Sequence, residues 1–231
     1  MIEVLKRMDS ANNHKGVIFD MDGVLVDTGW AHKQSWYDLA EKEGFNMSDE
    51  FFYSTFGMQN YQIIPMLLGR EAPQDEIDRL GDWKEQRYRE LVADQLTLSG
   101  GAQRLLDDLK DNGFLLAVGS SAPRANLDLV LERVQVRGYF DACVAGEEVT
   151  AGKPAPDTFL KAARKLALPP DRCVVVEDAV QGVDAAKAAG MAVVAVTTTR
   201  DRAALTRADV IVESLAKLRA DDFTRLLTSQ D

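Results

Sequence analysis

The sequence predicts an α/β fold, in which helices cover both faces of a parallel sheet and a block of helices is inserted early in the chain. Short, wholly apolar segments alternate with amphipathic segments from about residue 95 onward, the pattern of parallel strands buried on both faces. No strand pattern occurs between residues 29 and 94, where amphipathic segments follow one another. We therefore predict an α/β core formed by residues 1–28 and 95–231, with a helical insertion at 29–94.

The predicted first strand is the apolar run 17–19, which ends abruptly at Asp20. Asp22 follows two residues later, and Gly23 permits a tight turn. Two carboxylates so close repel each other, so both stay ionised only beside a cation or other positive groups. These residues alone fit an acidic turn and a functional site equally well. Residues 1–15, with mixed charge and weak helical spacing, predict a peripheral arm.

The inserted block predicts four helices. Gly44 ends the first of them, and Gly69 and Pro73 separate the last two. The last helix is long and heavily charged, so we expect its outer face to be solvated. The predicted helices cover residues 30–43, 48–55, 59–68 and 74–93.

The second half of the chain predicts the remaining strands, which alternate with helices up to the strand at 192–196. Gly113 ends one helix, and Pro123 suits the first turn of another. The predicted strands cover residues 114–118, 141–145, 173–176, 192–196 and 209–212. The predicted helices cover residues 100–111, 123–133, 156–167 and 179–189.

Composition argues against several classes of partner. The net charge of −10 and the pI near 4.8 disfavour nucleic acid and anionic membrane surfaces. No apolar run approaches the roughly 20 residues that span a bilayer, and the N-terminus lacks the pattern of a secretory signal. Cys143 and Cys173 lie in apolar segments without metal-site spacing, which predicts buried free thiols in a reducing compartment. We expect a cytoplasmic protein that is a monomer or a weak homo-oligomer.

Polar side chains follow four of the predicted strands. They are Asp20 and Asp22, Ser120 and Ser121, Lys153, and Glu177 and Asp178. Ligands bind outside the carboxyl ends of the strands in open parallel sheets, so these groups converge on one crevice if the strands are neighbours. Taken singly, the serines would suit a helix N-cap, the lysine a solvated surface, and the last pair an acidic helix start.

These groups belong to four motifs. The motifs are Phe19-Asp20-Met21-Asp22-Gly23-Val24, Gly119-Ser120-Ser121, Gly152-Lys153-Pro154-Ala155-Pro156-Asp157 and Glu177-Asp178-Ala179-Val180-Gln181-Gly182. In this order and spacing, over about residues 15–218, the chain resembles the haloacid dehalogenase-like superfamily. It is most similar to the subfamily with a helical cap after the first strand, which includes phosphatases and β-phosphoglucomutase. The resemblance implies a Rossmann-like parallel sheet core with an inserted α-helical cap domain.

The resemblance implies that Asp20 is the nucleophile and forms an aspartyl-phosphate. Attack by a carboxylate on a phosphoryl group brings like charges together, at a cost of about 4 kcal/mol per unit-charge pair at about 4 Å and an effective dielectric constant of about 20. Mg²⁺ is the implied cofactor that reverses this repulsion. The implied metal ligands are the carboxylates of Asp20 and Asp178, the backbone carbonyl of Asp22, and Glu177 either directly or through water.

The resemblance also implies the groups that surround the phosphoryl group. Asp22 would act as general acid and then as general base, with its side chain off the metal. Ser120 would hydrogen-bond a phosphoryl oxygen, aided by backbone N–H groups at the start of helix 123–133, and Ser121 is a further candidate contact. Lys153 would pair with the nucleophile and with the phosphoryl group.

The implied cap would select the substrate. Thr28 and His32 fall where β-phosphoglucomutase has its hinge and a histidine that couples closure to positioning of the acid–base aspartate, although a partly buried helix histidine fits equally well. Phe56 and Asn60 fall where that mutase has a lysine and an arginine, cations that would hold a distal phosphate. His32 and Asn60 are candidate substrate-binding residues, and the missing cations weaken the mutase interpretation.

We therefore expect a Mg²⁺-dependent phosphatase that acts on a small phosphorylated metabolite through a covalent intermediate at Asp20. A sugar phosphomutase of the β-phosphoglucomutase type is the first alternative. A phospho-accepting signalling domain is an alternative of another class, disfavoured by the predicted cap, the length, and the placement of acceptor and acid–base residue after one strand. The sequence leaves the identity of the metabolite open.

Overall fold

A computed structural model describes residues 14–228, in which six parallel strands form one sheet with the order β3-β2-β1-β4-β5-β6. The strands are β1 (Gly16–Phe19), β2 (Leu115–Gly119), β3 (Ala142–Val144), β4 (Cys173–Glu177), β5 (Ala192–Val196) and β6 (Val210–Val212). The predicted α/β fold with a parallel sheet is confirmed. The predicted peripheral arm falls almost entirely on residues 1–13, which lie outside the described residues.

The first strand lies inside the sheet because its side chains are apolar on both faces. All four residues of β1 are buried, and Phe19 pairs with Val118 of β2 and with Val176 of β4. This register places the carboxyl ends of three strands next to one another. Asp20 extends the pairing by donating its backbone N–H to the Val176 carbonyl at 2.9 Å. The residues that follow β1, β2 and β4 therefore meet at one edge.

Four helices follow β1 and precede residue 95, and the inserted helical cap expected from the fold class is confirmed. They are α1 (Gly29–Glu43), α2 (Asp49–Thr55), α3 (Asn60–Leu68) and α4 (Gln74–Val92). These helices form an apolar cluster that includes Trp36, Leu39, Phe52, Ile64 and Leu80. The domain boundaries at 29 and 94 stay a prediction.

The remaining helices cover the two faces of the sheet. They are α5 (Ala102–Asp111), α6 (Arg124–Arg133), α7 (Asp157–Lys165), α8 (Val180–Ala188) and α9 (Ala220–Thr228). Large apolar clusters lie on both faces, one containing Val17 and Phe19 of β1 and the other containing Ile18, as expected for a buried parallel strand. Both cysteines are free and buried.

Helix α9 is missing from the sequence prediction. Phe223 of this helix is fully buried and meets the ring of Phe114 edge-on, with ring centroids 6.3 Å apart. Asp221 and Asp222 lie in the first turn, where carboxylates favour the helix dipole. These two acidic residues are the feature of the sequence that could have indicated the start of the helix. Within residues 14–228, no helix is long and apolar enough to cross a membrane.

Candidate active site

Asp20 and Asp22 lie in the turn that follows β1, and Gly23 makes the turn possible. Gly23 has a φ of +86°, and a Cβ atom there would lie 1.9 Å from Asp178 Oδ2. Any other residue would strain the backbone and displace the Asp178 carboxylate. The glycine thus lets the turn after β1 approach the acid that follows β4.

Three carboxylates meet at this edge. One oxygen each from Asp20, Glu177 and Asp178 lies within 4.8 Å of the others, and all three residues are buried. Burial, reinforced by Glu177, raises the pKa of Asp178 well above its ordinary value. Burial likewise raises the pKa of Asp20 to about 7, although Lys153 opposes the shift. Such crowding is stable when a cation shares the site, so these oxygens could hold a divalent metal ion.

The oxygens of Asp178 differ in their contacts. Thr199 donates its hydroxyl to Oδ2 at 2.6 Å. Oδ1 is buried and has no hydrogen-bond partner among the described residues. An unpartnered buried carboxylate oxygen is unfavourable unless something else binds it. Hard oxygen donors in this arrangement fit Mg²⁺.

Lys153 lies between two of the acids. Its Nζ donates to Asp20 Oδ1 and to Glu177 Oε1, both at 2.6 Å, and the residue is 1% exposed. Burial opposes the charge of Lys153, but the two carboxylates raise its pKa above the ordinary value. Lys153 is therefore a buried cation of the site and not a solvated surface lysine.

Both oxygens of Glu177 already have protein donors. Oε1 accepts from Lys153, while Oε2 accepts from the backbone N–H groups of Asp178 and Ala179 at 2.7 and 2.9 Å. A Cβ atom on Gly182 of α8 would overlap Glu177 Oε1, at 1.7 Å, so the helix passes the carboxylate only because a glycine is there. This fixed carboxylate suits an indirect contact with a metal ion, through water.

The Asp22 side chain lies apart from the acid cluster and faces the cap. Its Oδ1 accepts hydrogen bonds from Thr28 Oγ1 at 2.5 Å and from Tyr88 Oη at 2.8 Å, and it lies 3.2 Å from His32 Nε2. Burial would raise the pKa of Asp22, but His32 and the two hydroxyls together lower it to about 2. The carboxylate is therefore ionised, and the cap fixes its orientation.

His32 connects Asp22 to a buried lysine that the sequence prediction missed. Lys84 of α4, which is 2% exposed, places Nζ 2.8 Å from His32 Nδ1. An ammonium group only donates, so Nδ1 accepts and Nε2 carries the hydrogen that faces Asp22. Lys84 belongs to the segment interpreted as a solvated, charged helix. Tyr88 lies one helical turn after Lys84, and this spacing on one face was the available signal.

The other predicted cap residue, Asn60, contacts a second missed residue. Asn60 Nδ2 donates to Glu85 Oε1 at 2.9 Å, and Asn126 of α6 donates to Glu85 Oε2 at 2.6 Å. Lys84 Nζ also donates to Glu85 Oε1 at 2.9 Å. Asn60 is thus part of a polar network that joins the cap to the core.

The two predicted serines have different environments. Ser120 is 1% exposed, and its Oγ accepts from the backbone N–H of Ala122 at 3.0 Å, so its hydroxyl hydrogen stays available to a ligand. Ser121 Oγ donates to the carbonyl of Gly57 in the cap at 2.7 Å. Ser120 therefore faces the site in a form that can donate, while Ser121 fastens the cap to the core.

The start of α6 differs from expectation. The helix begins at Arg124, after Pro123, and the Arg124 N–H donates to both carboxylate oxygens of Glu147 at 2.9 and 3.1 Å. This one N–H group is therefore not available to a phosphoryl group, whereas the prediction concerned the N–H groups of the helix start together. Glu147 reaches the helix from the turn after β3, a contact that depends on the order of the strands.

A cavity with about 560 Å³ of empty space, part of it open to solvent, lies between the cap and the strand ends. Asp20, Asp22 and Ser120 line its core side. The cap side combines polar groups with a large apolar wall. The polar cap residues are His32, Asn60, Lys84 and Glu85, and the apolar ones include Trp36, Phe52, Phe56, Met58 and Ile63.

Comparisons with known proteins show which proteins this chain is similar to. The family model described as haloacid dehalogenase-like hydrolase matches residues 17–196. A fructose-1-phosphate phosphatase of Escherichia coli is 33% identical over 182 residues, which cover 77% of this chain and 94% of that protein. A chloroplastic 5-amino-6-(5-phospho-D-ribitylamino)uracil phosphatase of Arabidopsis thaliana is 32% identical over 91% of this chain, which spans only 57% of that longer protein.

Among solved structures, β-phosphoglucomutase from Clostridium difficile superposes with a TM-score of 0.85 at 27% identity. The superposition covers 94% of this chain and 98% of that one. The similarity thus includes both the sheet and the inserted helices.

Proposed function

The chain belongs to the haloacid dehalogenase-like hydrolase family, and from this premise we propose that it is a Mg²⁺-dependent phosphatase that hydrolyses a small phosphorylated metabolite. The reaction would pass through an aspartyl-phosphate at Asp20. The observation that carries the proposal is the buried set of Asp20, Glu177 and Asp178, with Lys153 bound to two of the three acids.

The metal ion would be held by Asp20, Asp178 and the backbone carbonyl of Asp22. Glu177 would contact the ion through water. The unpartnered Asp178 Oδ1 supports this assignment. When bound, Mg²⁺ would neutralise the negative charge that the nucleophile and the phosphoryl oxygens bring together.

Asp20 would attack the phosphorus atom of the ester. Lys153 holds Oδ1 of the carboxylate, so Oδ2 is the oxygen suited to attack. As the new bond from Asp20 to phosphorus forms, the bond from phosphorus to the alcohol oxygen breaks. The departing oxygen takes a proton from Asp22, and Ser120 donates a hydrogen bond to a phosphoryl oxygen.

Water would then attack the aspartyl-phosphate. Asp22 accepts a proton from the water, the bond from Asp20 to phosphorus breaks, and inorganic phosphate leaves. Three contacts to Asp22 Oδ1 favour the ionised carboxylate, which is the form this second step needs. In the first step Asp22 must carry a proton, so we expect these hydrogen bonds to loosen at that stage.

We favour hydrolysis over phosphomutase activity because a mutase must hold a bisphosphate in two orientations. The resemblance implies that Phe56 and Asn60 fall where the mutase has cations, and Asn60 donates to the Glu85 carboxylate. A lost charge-assisted contact commonly costs about 1.5–3 kcal/mol, roughly tenfold to a hundredfold in affinity. Water should therefore outcompete a sugar phosphate as the acceptor.

Phosphate release from a panel of phosphorylated metabolites tests the proposed activity. The panel should include fructose 1-phosphate and hexitol phosphates, assayed with Mg²⁺ and with EDTA after bound metal has been removed. We expect Mg²⁺-dependent release of phosphate from at least one ester. Release from none of them, or full activity in metal-free EDTA, would overturn the proposal.

Phosphorus NMR separates the phosphatase from the mutase. The enzyme is incubated with hexose 1-phosphates, Mg²⁺ and a trace of the bisphosphate. Inorganic phosphate should accumulate. Conversion to the 6-phosphate with little phosphate release would instead identify a mutase.

A further inference from the structure

Glu85 is a buried carboxylate in the wall of the cavity, and no step of the proposed reaction uses it. It is 5% exposed, and it lines the cavity on the cap side together with Lys84 and Asn60. Burial opposes its charge, but Lys84 lowers the pKa of Glu85, so the residue is an anion at neutral pH. Three donors hold it in place: Lys84 and Asn60 on Oε1, and Asn126 on Oε2.

The cation beside Glu85 is already compensated. Lys84 Nζ donates to Glu85 Oε1 and to His32 Nδ1, at 2.9 and 2.8 Å. Among the described residues that line the cavity, Lys84 is the single lysine or arginine, while Asp20, Asp22 and Glu85 are carboxylates. An anionic group at the far end of a substrate would therefore find no uncompensated cation, because Glu85 already neutralises Lys84.

The same wall suits an uncharged, hydroxylated group. Lys84 is a hydrogen-bond donor, Glu85 is an acceptor, and the Asn60 amide can both donate and accept. Alcohol hydroxyls, which also donate and accept, match such a set. The aromatic rings of Trp36 and Phe56 line the cavity as well and offer surfaces for the C–H groups of a polyol.

We propose that Glu85 makes the leaving-group end of the cavity selective for uncharged, hydroxylated phosphate monoesters and against esters that carry a second anionic group. The inference rests on the proposed phosphatase activity and defines its substrate class. Glu85 neutralises the one cation among the described residues of this wall, so a second anionic group on the substrate would lose its water of hydration without gaining an ion pair.

A purely structural role for Glu85 makes a different prediction. The residue joins α4 to Asn126 of α6, so its replacement could weaken the fastening of the cap. Loss of that contact would reduce the rates for charged and uncharged esters alike. A charge-selective role changes the ratio between them, and this ratio is the decisive measurement.

Two pairs of substrates isolate the far-end charge at constant chain length. Glucitol 6-phosphate and 6-phosphogluconate differ by a hydroxymethyl group against a carboxylate, and so do glycerol 3-phosphate and 3-phosphoglycerate. With Mg²⁺, we expect the wild-type enzyme to show kcat/KM about tenfold or more higher for the uncharged member of at least one pair. Equal values within both pairs, or activity confined to esters outside them, would overturn the inference while leaving the phosphatase proposal standing. Phosphate release from no ester would remove both.

The variant Glu85→Gln removes the charge and nearly keeps the shape. We expect the ratio of kcat/KM values to fall by about fivefold or more, mainly through a gain for the carboxylate-bearing ester. Glu90→Gln is the matched control, because Glu90 lies on the same helix but contacts Gln86 and Arg87 on the exposed face. A folded Glu85→Gln enzyme with the wild-type ratio would contradict the inference. If that variant does not fold, the wild-type ratios decide the question.

Discussion

Thr199 holds one oxygen of the Asp178 carboxylate in the buried acid cluster. Its hydroxyl donates to Asp178 Oδ2 at 2.6 Å, which leaves the buried Oδ1 without a partner among the described residues. Hydrogen bonds behind a metal ligand commonly change metal affinity by about 10-fold to 100-fold. Thr199 follows β5, so this residue connects a neighbouring strand end to the proposed metal site.

Thr199→Val should weaken Mg²⁺ binding by about tenfold, because the nearly isosteric valine cannot hold the Asp178 carboxylate. Calorimetric titration of the substrate-free protein with Mg²⁺ measures this directly. Thr199→Ser, which keeps the hydroxyl, should bind nearly as wild type, and Thr198→Val serves as the neighbouring control because Thr198 donates to the Gly23 carbonyl instead. Unchanged affinity in Thr199→Val would argue against this role.

Lys153→Met should destabilise the protein most when metal is absent, because it leaves Asp20 and Glu177 without their shared cation. Breaking a buried charge pair typically costs about 3–5 kcal/mol. Urea unfolding in EDTA should show a loss of this order, and excess Mg²⁺ should reduce it. As a control, Lys110→Met removes an exposed ion pair with Asp141 and should cost at most about 1 kcal/mol. A Lys153→Met midpoint equal to wild type in EDTA would refute the electrostatic role.

Asp22→Asn should reduce the rate with an alkyl phosphate more than with an activated aryl phosphate, because only the poor leaving group needs a proton as it departs. The test is the pre-steady-state rate of alcohol release for both substrates, which isolates the first step from hydrolysis of the intermediate. An equal loss for the two substrates would remove the acid role of Asp22.

Tyr88→Phe should lower kcat with an alkyl phosphate, since Tyr88 Oη donates at 2.8 Å to the oxygen of Asp22 that Thr28 also contacts. A lost hydrogen bond to a charged group is worth about 1.5–3 kcal/mol, so a decrease of roughly tenfold or more is expected. The matched variant Tyr37→Phe loses a surface contact to Asp49 and should retain activity. If the two variants have the same kcat, Tyr88 does not position Asp22.

Local pattern was sufficient to predict the sheet, because apolar strands such as β1 and β4 have few alternatives to burial. The four motifs likewise placed Asp20, Lys153 and Asp178 near one another, since each follows a strand whose carboxyl end lies at the same edge. The assignment to the haloacid dehalogenase-like family is confirmed. The roles of these residues, the cytoplasmic location and the oligomeric state stay predictions.

The cap side of the site depends on contacts that no local pattern contains. Lys84 and Glu85 stand in a charged segment that resembles a solvated helix, and their burial follows from the packing of α4 against His32 and Asn126. Helix α1 and helix α6 supply those partners from distant parts of the sequence. The contact of Glu147 with the start of α6 likewise joins residues that are distant in the sequence, so no local pattern predicts it.

The covalent intermediate is the central claim, and acid quenching during turnover tests it most directly. Wild-type enzyme and Asp20→Asn are mixed with Mg²⁺ and a substrate that carries radiolabelled phosphate, quenched in acid, and digested for peptide mapping. Asp111→Asn, an exposed change at the end of α5, is the control. Wild type and the control should carry base-labile label on the peptide that contains Asp20, and Asp20→Asn should carry none and release no phosphate. Label on another residue, or turnover by Asp20→Asn at the wild-type rate, would contradict the mechanism.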